Sequence, residues 1–120
     1  MNVSFEGYNE QIATFEAASG VEAGKPVKIT DNGKVSLCST AGDVPCGICV
    51  AVRGDYASVQ LGGYINATYT ANTGDGAVNP ALGFSYLVSD GSGAFKGASD
   101  GLKVLVVEID STNKKIGFIF

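Results

Sequence analysis

Histidine and tryptophan are both absent from the 120 residues. The first absence removes imidazole bases, imidazole metal ligands and every Ser-His or Cys-His catalytic pair. Charge is also sparse: 17% of residues are charged, against about 25% in an average soluble domain. Eight Lys and Arg against twelve Asp and Glu leave a net charge of −4. That sign works against a nucleic-acid partner, because holding a phosphate backbone takes clustered cations. No apolar run approaches the ~18 residues of a membrane span, so no membrane partner is expected. The opening segment MNVSFEGYNEQIATF has neither a cationic start nor an apolar stretch, which argues against a signal peptide and for synthesis completed in a cytoplasm.

Three cysteines make a poor disulfide framework, since one is left over. Cys46-Gly47-Ile48-Cys49 has redox or zinc-knuckle spacing, and Cys38 adds a third thiol, but zinc would lack a fourth ligand. A thioredoxin-type motif opens a helix, whereas Val50-Ala51-Val52 reads as strand. Buried, unreactive thiols and no metal or cofactor are therefore expected.

What the chain has is glycine. Seventeen Gly and three Pro punctuate short apolar runs about every ten residues, while helical periodicity is scarce. The expected fold is all-β: a small, Gly-rich antiparallel β-barrel or sandwich built of short hairpins. Asn32-Gly33 between Val27–Thr30 and Lys34–Leu37 predicts a hairpin with a type I′ turn. Gly54-Asp55 predicts a second, with a type II′ turn, between Gly47–Arg53 and Tyr56–Leu61. Alternation in these strands places Cys46, Ile48, Val50 and Val52 on one face, and Ala57, Val59 and Leu61 on one face. Gly62-Gly63 either turns the chain back or bends one long strand around a barrel corner.

Residues 70–83, TANTGDGAVNPALG, form the longest expected loop. Phe84–Ser89 resumes strand pattern, and a second loop is expected through Gly101. Lys103–Ile109 is apolar on both faces, as a central strand should be, and Ile116, Phe118 and Phe120 alternate inward after a turn at Asp110–Lys114. Residues 1–11 have no turn pair to close a hairpin, so the division is an extended N-terminal arm, 1–11, and a single barrel domain, 12–120. The arm either frays or adds a strand to a partner's sheet, with Val3 and Phe5 on one side and Ser4 and Glu6 on the other.

Nothing argues for catalysis. Carboxylates such as Glu16, Asp43, Asp90 and Glu108 are scattered singly, Asp90-Gly91-Ser92-Gly93-Ala94 lacks the ligands of a calcium loop, and Arg53-Gly54-Asp55 is ordinary turn chemistry. The expectation is a protein that is not an enzyme. Low charge on a small chain has two explanations: an exterior partly covered by another chain, or simply a glycine-rich domain with few long side chains.

Ala17–Val35, AASGVEAGKPVKITDNGKV, resembles a family of small phage capsid decoration, or cement, proteins. Ala41–Ile48, with its AGD-x-P-x-G-I pattern, Val59–Gly63 and Lys103–Phe120 resemble further segments of that family. The resemblance implies a structural virion protein on the capsid exterior, binding the major capsid protein, often as a trimer, and stabilising the shell by bridging its subunits. The stretches not needed to close the barrel supply the candidate capsid-binding residues: Asn2, Val3, Ser4, Phe5 and Tyr8 in the arm, and Asn79 and Pro80 in the long loop. The alternative is a carbohydrate- or receptor-binding module of a phage head or tail fibre, with Tyr64, Tyr69 and Tyr86 as sugar-stacking rings.

Overall fold

The computed structural model describes residues 11–120. Every regular element among them is a strand, as the turn-punctuated sequence predicts. The first half supplies β1 (Gln11–Ala17), β2 (Pro26–Asp31), β3 (Lys34–Leu37), β4 (Gly47–Arg53) and β5 (Tyr56–Gly62), which close into a barrel in the order β1-β3-β2-β4-β5. Four of its five seams are antiparallel and one, β1 with β3, is parallel. A ring of five strands cannot alternate direction at every seam, so one parallel pair is obligatory. Val27, Val35, Cys49, Ala57 and Val59 fill its interior.

The second half supplies β6 (Tyr64–Thr68), β7 (Gly83–Ser89), β8 (Phe95–Ala98), β9 (Leu102–Asp110) and β10 (Lys115–Ile119), in the order β6-β10-β9-β7-β8. Here β9 lies between β10 and β7, the central position expected of it, but only its Val104 and Val106 face is buried and the Leu105 face is left partly open. The sheet curls until Tyr69, just past β6, bridges to Phe95 of β8, and the Thr70 amide donates to the Phe95 carbonyl at 2.8 Å. Inside the curl, Ile65, Leu87, Val104, Val106, Ile116 and Phe118 pack together, with Phe95 edge-on to Phe118 at 5.5 Å between centroids. Phe120 packs half-buried against the same cluster.

Several local expectations need correction. The Asn32-Gly33 hairpin forms, but only Gly33 has positive φ (65°), so the turn is not type I′. A register shift between Ile29 and Asp31 accommodates it, and the Asp31 carboxylate accepts the Asn32 N–H at 2.8 Å. Gly54, at φ 58° with Asp55 at negative φ, has the signs a II′ turn asks for.

In β4 the register shifts between Cys49 and Ala51, and Val50 is the extra residue. Ahead of it Ile48 and Cys49 point to opposite sides and are buried in two different cores; past it alternation is reversed, so Val52 pairs with Ala57 instead of sharing the side of Ile48, and Val50 and Val52 are both exposed. In β5, Ala57 and Val59 face inward, but Leu61 is exposed and Gln60 is buried at 4%. The reason is the Gly62-Gly63 corner, where the chain leaves the barrel and enters the second sheet. Finally, the segment expected as loop through Gly101 contains β8, a four-residue strand whose glycine-bearing sequence masks its pairing with β7.

Candidate functional site

The candidate residues Asn2, Val3, Ser4, Phe5 and Tyr8 lie outside the described residues. Asn79 and Pro80 fall in the long loop between β6 and β7, which is held at its neck by two asparagines. The Asn72 N–H donates to Asn79 Oδ1 at 2.7 Å, and Asn79 Nδ2 donates back to the Asn72 carbonyl at 3.3 Å. Asn72 Nδ2 also donates to the carbonyls of Val78 (2.6 Å) and Gly97 (2.8 Å), which fastens the loop to β8. Pro80 is buried in this arrangement, so it shapes the loop and offers no ring to a partner.

Among the described residues, neither of two surface hollows gathers a converging set of ionisable groups. Among the described residues no cluster of three or more Cys, Asp or Glu could hold a metal ion. A groove of about 350 Å³ lies where the two sheets meet, lined by Ile48, Cys49, Val50, Gln60, Tyr64 and Asn66 among others. A second hollow of about 270 Å³ lies on the barrel exterior beside Thr14, Arg53, Tyr56 and Ser58. The first brings together no charged side chain and the second a single arginine.

The thiols are held away from chemistry. Cys38 and Cys49 are buried, Cys46 is half-buried, and all three are free. Burial, with the Asp43 carboxylate nearby, pushes the Cys38 thiol up to about 11, and burial raises Cys46 and Cys49 as well.

The acidic residues serve turns and connections. Burial pushes the Asp90 carboxyl up, but hydrogen bonds from Thr70 Oγ1 (2.6 Å) and from the amides of Ser92 (2.7 Å) and Ala94 (3.1 Å) outweigh it, and the net shift is downward. The segment that opens like a calcium loop is thus a turn wrapped around its own aspartate. Asp43 accepts from Lys28 Nζ at 2.8 Å, which lowers its carboxyl and raises the lysine. Glycosidic stacking loses one of its three tyrosines, since Tyr69 is buried in the second core.

What stands out is apolar surface. Across the outer face of the second sheet, Tyr64, Ile119, Leu105 and Phe84 are register partners in one row spanning β6, β10, β9 and β7. Phe84 is 72% exposed, Tyr86 on the same face 38%, and Leu82 just before β7 68%. Lys103 Nζ sits 4.9 Å above the Phe84 ring, the contact expected of a cation and an aromatic face. The barrel adds Ile12, Ile29 and Tyr56, each more than half exposed.

Sequence reasoning assigned the Phe84 strand but not its outward apolar face. The signal was present: Phe84 and Tyr86 alternate with Ser85 and Leu87, so once Leu87 is committed to the core the two rings point outward. No family model and no curated protein matches this chain.

Proposed function

We propose that this chain is a structural virion protein that binds the outside of a phage capsid and holds neighbouring major capsid subunits together. The observation that carries the reading is the amount of large apolar side chain directed outward, led by Phe84 and Leu82, on a domain without a cleft of converging ionisable groups. Small soluble domains seldom leave such rings uncovered unless another chain covers them. The net charge of −4 and the sequence resemblance support the same assignment.

Physically, a protein that binds only the assembled shell shifts the equilibrium toward assembly by its own binding free energy. Repetition over a lattice multiplies weak contacts, and a homo-oligomer multiplies them again. Residues Asn2, Val3, Ser4, Phe5 and Tyr8 are the attachment segment in this reading, with Asn79 of the long loop as a further contact.

Co-sedimentation with purified phage heads tests the reading. The full chain pellets with heads, and a variant lacking residues 2–8 stays in the supernatant. Equal pelleting of the two rejects the arm as the attachment segment; failure of the full chain to pellet rejects capsid binding. Glycan binding without affinity for heads would favour the carbohydrate-binding alternative instead.

A further inference from the structure

The outer face of the second sheet is chemically self-complementary about one line. Phe84 of β7 and Leu105 of β9 are register partners and define that line. On one side of it, two residues along β9, stands Lys103. On the other side stands Glu108, three residues along, but the bulge at Val107 absorbs one of them. The neighbouring strand shows the true spacing: Leu105 pairs with Ile119 and Glu108 with Gly117, two residues apart. Lys103 and Glu108 therefore lie on the same face, each roughly 7 Å from the line, one cationic and one anionic. Among the described residues neither is in an ion pair.

We propose that this face binds a second copy of the chain through a twofold axis running along the Leu105–Phe84 line. Rotation about that axis turns two sheets face to face with their strands aligned, the ordinary geometry of sheet-on-sheet packing. Phe84 meets Phe84 of the second copy. Lys103 of each copy meets Glu108 of the other, so both charges find opposite partners. An isologous interface has to satisfy itself in this way, and few arbitrary surfaces do.

Area agrees with a weak, specific contact. Because the sheet curls, its outer face is convex, and contact is confined to the strip of β10, β9 and β7 about the line; two copies together hide on the order of several hundred Å², the size of a weak, transient contact. The pairing is distinct from the trimer that the family resemblance implies. It draws on the same exposed Phe84 face as the capsid reading and would leave attachment to the N-terminal residues, but no head is needed to form it, so the isolated chain tests it separately.

Sedimentation equilibrium of the full chain between 1 µM and 1 mM tests it. The expected result is a monomer–dimer equilibrium with a midpoint of roughly 10–100 µM, as suits an interface of this size. Phe84→Glu, at an exposed position, leaves the far-UV spectrum unchanged and abolishes the dimer. Lys103→Glu or Glu108→Lys alone weakens dimerisation by about tenfold or more, because like charges then face each other. The double variant K103E/E108K restores it to within about threefold, since each contact again joins opposite charges. A monomer at every concentration, an assembly other than a dimer, a dimer indifferent to Phe84→Glu, or a double variant as weak as the singles overturns the proposal.

Discussion

Gly63 and Phe120 exchange both backbone hydrogen bonds, each at 3.2 Å, so the last residue of the chain closes the corner at which the barrel passes into the second sheet. The same corner is braced by Gln60, whose Nε2 donates to the carbonyls of Gly62 and Tyr64, both at 3.1 Å. The buried amide thus ties the end of the barrel's last strand to the first strand of the second sheet, donating to one carbonyl on each side of Gly63.

Gln60→Leu keeps the volume but removes both hydrogen bonds across the corner. A loss of about 1–3 kcal/mol in urea unfolding is expected, with an unchanged m-value. Removing Phe120 together with Ile119 and Phe118 deletes a fully buried ring and unties the corner, and the chain should fail to give a cooperative transition.

Two glycines should fail for different reasons. A methyl at Gly47 would collide with the Gln60 carbonyl across the β4–β5 pair, so Gly47→Ala costs about 1–3 kcal/mol through forced separation of the strands. At Gly33 there is open space but φ is +65°, and Gly33→Ala costs about 1 kcal/mol through backbone strain alone. Gly33→Asn, which tolerates that conformation better, should recover part of the loss, whereas Gly47→Asn should be worse than Gly47→Ala. Thermal midpoints of the four variants distinguish the two mechanisms.

Acid should weaken the fold through three carboxylates held below the usual aspartate value: Asp43 by Lys28, Asp90 by its turn hydrogen bonds against the opposing effect of burial, and Asp110 by Asn113 and the Thr112 amide. Each is ionised more readily in the folded chain than in the unfolded one. Their stabilising contribution is therefore complete above the unfolded pKa near 4 and disappears as pH falls through the lower folded values. Midpoints measured from pH 6 to pH 2 should decline most steeply below pH 4, and Asp90→Asn should flatten that decline.

The thiols have the opposite sign. With Cys38 at about 11 in the folded chain against 9.0 for a free thiol, the fold favours the protonated form. Stability from this source is intact below pH 9 and is lost between pH 9 and 11. At pH 8 roughly one Cys38 in a thousand is thiolate, so iodoacetamide should label it only after denaturant is added. Rapid labelling of Cys38 in the native protein at pH 8 would contradict its burial.

The strands were largely legible in the chain. Gly54-Asp55 announced its hairpin because a glycine at positive φ is a local requirement, and Lys103–Ile109 announced a strand because alternation commits Val104 and Val106 to one buried face. β8 was missed because its four residues, Phe95–Ala98, contain one large apolar side chain and a glycine. Its strand character comes from pairing with Tyr86–Ser89, a partner the segment itself does not encode. The β4 face was misassigned at Val52, which pairs with Ala57, because a bulge is invisible to alternation until the opposing strand is in place.

For the functional surface the division is similar. Composition alone established a protein without imidazole chemistry, with little charge and no membrane-length apolar run, since those properties are sums over residues and need no geometry. The all-β character also followed from the chain, because turn residues and short apolar runs act locally. Tertiary structure decided that the strands divide into a closed barrel and a second sheet at Gly62-Gly63, and that Tyr64, Ile119, Leu105 and Phe84 line up in one row. Those residues come from four strands separated by up to 55 positions, and only hydrogen-bond register, a non-local quantity, brings them to one face.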